Sequence, residues 1–205
     1  MKQSTRQQQK EQTRERLLEA AYVVFARQGM LQSRMEDIAR EAGVSHGTVF
    51  LHFHSQEELL EAVVSRYGGL IAARTHALLE SGAGLRGVLT AYLQGVQAYE
   101  TFYTRLLLEA RLLPQGVRDS FLMIQSVLSH HFSAALEREG IAKRLNLEAH
   151  LLYCMWVGLV HHYLQNSDLY GGEGKIIARH GETLMSAYLT LINNTSLPEH
   201  KEETT

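Results

Sequence analysis

Residues 45 to 51 read Ser-His-Gly-Thr-Val-Phe-Leu. Hydroxyls, an imidazole, a position with no side chain and two large apolar groups follow one another within two helical turns. Ser45, His46 and Thr48 can donate or accept hydrogen bonds, Gly47 lets another surface approach the backbone, and Phe50 and Leu51 offer apolar contact. On the edge of a short helix this set suits the major groove of DNA, about 12 Å wide, where base edges present donors, acceptors and thymine methyls. The same residues also suit a tight helical corner inside a core, with Gly43 and Gly47 there only for packing. Periodicity and capping leave both readings open.

Such an edge works only if neighbouring elements hold it. Ser33-Arg34-Met35-Glu36 reads as a capping box that opens a helix. Met35, Ile38, Ala39 and Ala42 follow at i, i+3, i+4 and i+7, the spacing of one buried face. Gly43 closes that helix in a left-handed conformation. Ser45 caps the next one, with Val49 and Phe53 turned inward. Two short helices joined through Gly43 and Val44 make a helix-turn-helix over residues 34–53.

Ahead of it, TRERLLEAAYVVFARQG predicts a helix with Leu17, Leu18, Ala21, Val24 and Phe25 on one side, stopped at Gly29. Behind it, Ser55-Gln56-Glu57-Glu58 forms a second capping box and opens a long helix from Glu57 to about Leu79. SGAG at 81 to 84 marks a boundary. Five more helices are expected, over about 84–98, 100–112, 115–140, 146–166 and 173–194. The expected fold is therefore all-α, with about nine helices. An N-terminal three-helix domain (11–71) is joined by the long helix to a C-terminal helical domain (72–197), followed by a flexible tail (198–205).

Composition sets the outer bounds. The chain has 205 residues, 45% of them hydrophobic, and a formal net charge of −2. That is ordinary for a globular protein and does not by itself announce a nucleic-acid partner. The first sixteen residues are nonetheless basic, with Lys2, Arg6, Lys10, Arg14 and Arg16 against Glu11 and Glu15. The lone cysteine, Cys154, excludes an intrachain disulfide and fits a reducing compartment. No apolar segment follows the basic N-terminus, and LLYCMWVGLV (151–160) falls short of the ~18 residues needed to cross a bilayer. A cytoplasmic protein with no membrane partner is expected.

The stretch from Thr13 to Val64 resembles the N-terminal domain of TetR-family transcriptional regulators. The resemblance rests on Thr13-Arg14, Ala20-Ala21, Phe25, Gly29, Ile38-Ala39, Ala42-Gly43-Val44-Ser45, Gly47-Thr48, His52-Phe53 and Ser55-x-x-Glu-Leu-Leu, about a quarter of the chain. It implies groove contacts from Ser45, His46, Gly47, Thr48 and Phe50, and phosphate contacts from Ser33, His52 and Gln56. His46 stands where the family commonly has lysine, Phe50 where it has tyrosine, and Gln56 where a lysine is frequent. With those groups lost, phosphate binding is expected to lean on Lys10, Arg14, Arg16 and Arg34. Histidines 46, 52 and 54, with an ordinary pKa of about 6.5, would gain protons beside phosphates, so operator affinity is expected to weaken between pH 6 and 8.

The resemblance further implies a homodimer built from the last two long helices, a palindromic, inverted-repeat double-stranded operator, repression, and release by a small-molecule effector. It implies no cofactor. LNLEAHLLYCMWVGLVHHYLQN is apolar nearly all round and so is expected to be buried on more than one side, with Gly158 allowing close approach. Tyr103, Glu109, Phe121 and Trp156 are effector-contact candidates among the aromatic and polar residues of the middle helices. His150, Cys154 and His161 fall on related faces of one helix. Cys154 and His161, however, are two turns apart, about 10 Å along the axis, which is far for one shared ion. The alternative is a helical-bundle metal-dependent enzyme using C-terminal His, Cys and Glu residues. It lacks a paired Glu-x-x-His set, a His-Glu-x-x-His motif and a glycine-rich phosphate loop.

Overall fold

A computed structural model describes residues 5–80, 84–172 and 174–195. Within them the chain is all-α, with ten α-helices and two short 3-10 segments. They are α1 (Thr5–Gln28), α2 (Met35–Ala42), α3 (His46–His52), α4 (Gln56–Glu80), α5 (Leu85–Ala98), α6 (Glu100–Glu109), α7 (Gln115–Arg138), α8 (Ile141–Leu145), α9 (Ala149–Gln165) and α10 (Ile176–Asn194). The 3-10 segments are Ala110–Leu112 and Ser167–Tyr170. No helix among the described residues is long and apolar enough to cross a membrane.

The expected elements are present, with three adjustments. α1 begins at Thr5, well before Thr13, because the Gln- and Lys-rich lead-in is made of helix formers and Thr13 Oγ1 donates back to Gln9 O at 2.9 Å. Between the helices expected over 115–140 and 146–166 lies an additional five-residue helix, α8, which ends at Asn146 in a left-handed conformation (φ 51°), and α9 starts at Ala149. The box expected from Ser33 and Glu36 is displaced by one residue. Arg34 is the extended N-cap of α2, and Asp37 accepts its backbone N–H at 3.2 Å. Residues 81–83 of the SGAG boundary and the tail 198–205 lie outside the described residues.

The contacts group into two compact units, Met1–Ala72 with Ala98–Gln125, and Ala73–Gln97 with Ser126–Thr205. In the first, Leu17, Ala21, Val24 and Phe25 of α1 meet Ile38 of α2, Val49 of α3, Phe53, and Leu59 and Val63 of α4, all fully buried. The residues predicted for the inner faces of α1, α2 and α3 are the ones that build this core. In the second, Trp156, Val160 and Leu164 of α9 pack with Ile176, Leu184 and Tyr188 of α10, Leu89 and Tyr92 of α5, and Phe132 of α7.

Candidate nucleic-acid interface

α3 is seven residues long and has one fully buried residue, Val49. With Phe53 just beyond its end, Val49 anchors the helix from beneath, so the rest of the helix is free to face outward. The turn before it is set by Gly43 at φ 64°, where the Gly43 and Val44 N–H groups donate to Arg40 O and Ala39 O at 3.2 and 3.0 Å. This satisfies carbonyls left open at the end of α2 and reverses the chain within two residues. Ser45 then caps α3: its Oγ accepts from Thr48 N–H at 3.2 Å and lies 2.8 Å from Thr48 Oγ1.

The outward edge carries Ser45, His46, Gly47, Phe50 and Leu51, all exposed, with Thr48 partly so. Phe50 and Leu51 are 41% and 76% exposed, a poor arrangement for a helix with nothing to meet. A Cβ built on Gly47 would meet only Ser45 Oγ, at 3.9 Å, so the fold itself leaves room for a side chain there. The His46 ring stands edge-on to Phe50, 4.8 Å between centroids, with its Nε2 3.6 Å from Glu36 Oε1. His46 is thereby held beside a carboxylate.

The residues expected to grip phosphates divide into two groups. Arg34 is exposed at the start of α2, and Lys10 is exposed on α1. Arg6, Lys10 and His52 line an open groove of about 700 Å³ between the first turns of α1 and the end of α3. Others have partners within the fold. Ser33 is 3% exposed and its hydroxyl donates to Gly29 O at 2.5 Å. The Gln56 amide donates to Ser33 O at 2.7 Å and Met30 O at 3.3 Å, tying the α1–α2 connection to α4. Arg16 donates to Ala42 O at 2.6 Å, and Arg14 sits 4.8 Å from the Phe53 ring centre. Of the four basic residues expected at phosphates, Arg14 and Arg16 have contacts within the fold, while Lys10 and Arg34 are exposed.

His52 keeps one ring nitrogen, Nδ1, buried without a hydrogen-bond partner among the described residues. Burial first, then the charges of Lys10 and Arg14, hold its pKa below the ordinary value, against an opposing pull from Glu11. In the free protein His52 is therefore neutral near pH 7. His54 Nδ1 lies 3.1 Å from Glu58 Oε2, the carboxylate that also accepts the His54 backbone N–H at 2.7 Å.

Two supports were not legible in the residue pattern. Glu109 of α6 accepts the Leu31 N–H at 2.8 Å and packs against Gly29, whose φ is 84°. It thus latches the loop that presents Arg34. Asp37 is held well ionised by the Gln28 amide (3.1 Å), then by the Arg34 N–H and the Arg40 and Arg34 charges. The only sequence signal was an acidic residue three places after Arg34.

The effector candidates are scattered. Tyr103 is 4% exposed, accepts from the Gln125 amide at 2.9 Å and touches Phe121 edge-on in the first unit. Glu109 is the latch. Trp156 is 1% exposed in the core of the second unit. On α9, Cys154 is exposed rather than interior, with Sγ 3.4 Å from His150 Nε2. His161 turns instead to Tyr92, 3.3 Å from its hydroxyl. Among the described residues no group of three His, Cys, Asp or Glu is placed to hold a metal ion.

Residues 17–63 match the family model described as bacterial regulatory proteins, tetR family. The HTH-type transcriptional regulator SrpR of Pseudomonas putida is 41% identical over 68 residues, 33% of this chain and 29% of SrpR. A second regulator from that species, TtgW, is 40% identical over 67 residues, 45% of its own length. The matched stretch thus spans well under two thirds of both relatives. The transcriptional repressor KstR2 of Mycobacterium tuberculosis is 25% identical over 144 residues, covering 67% of this chain and 72% of KstR2. Among solved structures, the regulator FadR of Bacillus subtilis in complex with stearoyl-CoA superposes with a TM-score of 0.71 at 20% identity, covering 86% of this chain and 97% of that one. A TetR-family regulator from Agrobacterium tumefaciens gives 0.72 at 22% identity, covering 87% and 98%. At those identities the likeness concerns the fold.

Proposed function

Because this chain belongs, through residues 17–63, to the tetR family of bacterial regulatory proteins, we propose that it is a ligand-responsive transcriptional repressor that binds an inverted-repeat operator as a homodimer. The observation that carries the reading is the α3 edge. A helix anchored by Val49 and Phe53 presents polar groups, an open glycine and exposed Phe50 and Leu51 to the outside. Ser45, His46, Thr48 and Phe50 are the base-reading set, Gly47 permits approach, and Arg34, Lys10, Arg6 and His52 meet phosphates. Ser33 and Gln56 act behind them, holding the start of α2.

Two copies are needed because one seven-residue helix reads too few base pairs for specificity. A two-fold dimer sets two such helices about one turn of DNA apart, roughly 34–36 Å or somewhat more. α9 supports this. Its buried side carries Leu152, Trp156 and Val160, while Leu151 and Met155, each 47% exposed, form an outer stripe with Cys154, Gly158 and His162. A Cβ on Gly158 would meet nothing within 4 Å, which leaves room for close approach by a second copy. Leu191 of α10, 61% exposed, extends the apolar surface available for pairing.

That relatives are named as repressors, and that FadR is described with stearoyl-CoA, supports repression relieved by a small molecule. The effector must bind the operator-competent and released forms unequally. Selection of bound sequences from random DNA should return an inverted repeat, and Gly47→Glu should abolish binding while leaving the protein folded and dimeric. A footprint without dyad symmetry, or full affinity in the Gly47→Glu protein, overturns the reading.

A further inference from the structure

Trp156 is the only tryptophan in the chain and sits in the interior of the second unit, 1% exposed. Its ring lies 5.4 Å from Tyr188 and 6.2 Å from Tyr92, with Phe132 and Tyr153 paired nearby at 5.5 Å. The hydroxyls of its two ring neighbours are placed. Tyr188 donates to Leu152 O at 2.8 Å, and the Tyr92 hydroxyl is 3.3 Å from His161 Nε2. The indole N–H differs: it is buried and has no hydrogen-bond partner among the described residues. A buried donor left so costs about 1–3 kcal/mol, a penalty an apolar side chain would not carry.

Trp156, Tyr92, Phe132, Tyr153 and Leu128 also wall a closed cavity of about 10 Å³. We propose that this is the effector site in its closed form, that the Trp156 N–H is its recognition donor, and that the effector is an uncharged, mainly apolar molecule bearing an acceptor oxygen of ketone, ester or ether type. The proposal rests on the ligand-responsive reading above and names the chemistry of its ligand.

The walls decide the charge. They are aliphatic and aromatic, with no Lys, Arg, Asp or Glu among them. The nearby His161 is kept neutral at pH 7, burial having pushed its pKa down to about 4. A carboxylate or an ammonium would be stripped of water there with no counter-charge, a loss one hydrogen bond does not recover. Size supplies the coupling. Sites for organic ligands run to about 300–1,000 Å³, so the ligand enters only when the aromatic walls have moved apart. It therefore favours an opened form over the closed one, the unequal binding a switch needs.

Three probes of one ring size test this on the full chain: acetophenone (neutral acceptor), ethylbenzene (no acceptor) and benzoate (anion). Acetophenone should raise Tm saturably and shift the emission of the single indole. Its affinity should exceed that of ethylbenzene by roughly 2- to 10-fold, the worth of one neutral hydrogen bond. Benzoate should bind least. Trp156→Phe should erase the preference for acetophenone, whereas Tyr92→Phe should keep it, so the pattern remains readable if one variant folds poorly. Equal or tighter binding of ethylbenzene, tightest binding of benzoate, or no response to any probe overturns the proposal. A mobility shift without probe separates the two levels. Operator binding with no probe binding sinks only the effector site, and probe preference without DNA binding sinks only the regulator reading.

Discussion

Gly47→Ala pulls folding and DNA binding in opposite directions. Gly47 is helical, and a methyl there would meet only Ser45 Oγ, at 3.9 Å, an ordinary contact. Replacing a helical glycine by alanine stabilises by about 0.5–1 kcal/mol, and the second position of α3 falls toward the lower end of that range. For a chain of this length that is a Tm increase of roughly 1–2 °C. In the proposed complex the same methyl would stand between the α3 backbone and the groove floor. Crowding a close-packed contact costs about 1–3 kcal/mol, hence a 5- to 150-fold weaker operator complex. Calorimetry gives the first quantity. Anisotropy titration against the selected inverted repeat, at one fixed salt concentration, gives the second. A higher Tm with unchanged affinity would show that Gly47 does not face DNA. A lower Tm would mean that glycine is there for the core, the packing reading that the spacing alone left open.

Gly43→Ala has space around it, with Arg16 Nη2 4.0 Å away, but must adopt φ 64°. It should cost about 1–2 kcal/mol in denaturant unfolding, and Gly43→Asn less, since asparagine tolerates the left-handed region. Glu109→Ala removes the acceptor of the Leu31 N–H and should lower stability by about 1–3 kcal/mol. Amide exchange at Leu31 should speed up, and unchanged exchange would refute the latch. Leu151→Glu with Met155→Glu, both on the outer stripe of α9, should yield monomers in sedimentation and weaken operator binding, while near-UV dichroism stays native. His161 has a folded pKa of about 4 against the ordinary 6.5. As pH falls below 6.5 the unfolded chain takes a proton that the folded chain refuses, so this stabilisation is present at pH 7, shrinks between pH 6.5 and 4, and is level below that. Between pH 7 and 5 the loss is about 2 kcal/mol. The pH slope of unfolding over that range should flatten in His161→Gln, and an unchanged slope would refute it.

The helix-turn-helix was legible because its determinants are local. Gly43 needs φ > 0, Ser45 caps its own helix, and the apolar residues of α1 to α3 recur at the helical period, so the buried face follows from spacing. Short α8 was missed because IAKRL has too few residues for a period to show, and its end depends on Asn146 taking a left-handed turn. The cap of α2 was placed one residue early because Ser33 has the preferred chemistry. In the fold, Ser33 is drawn inward by Gly29 O, and Asp37 serves Arg34 instead.

What the sequence determined alone was the set of longer helices, the turn between α2 and α3, and which side chains of α3 face outward, since each depends on contacts within about one turn of chain. Only the tertiary structure decided which basic residues have partners within the fold. Arg14 and Arg16 resemble Arg6 and Lys10 in sequence, yet Phe53 and Ala42 O, brought near from 39 and 26 residues away, engage them. It also decided that Glu109 holds a loop 78 residues distant and that the Trp156 N–H has no partner among the described residues. A side chain's nature sets what it can bond to; which partner it meets is set by the packing of elements that the local pattern does not specify.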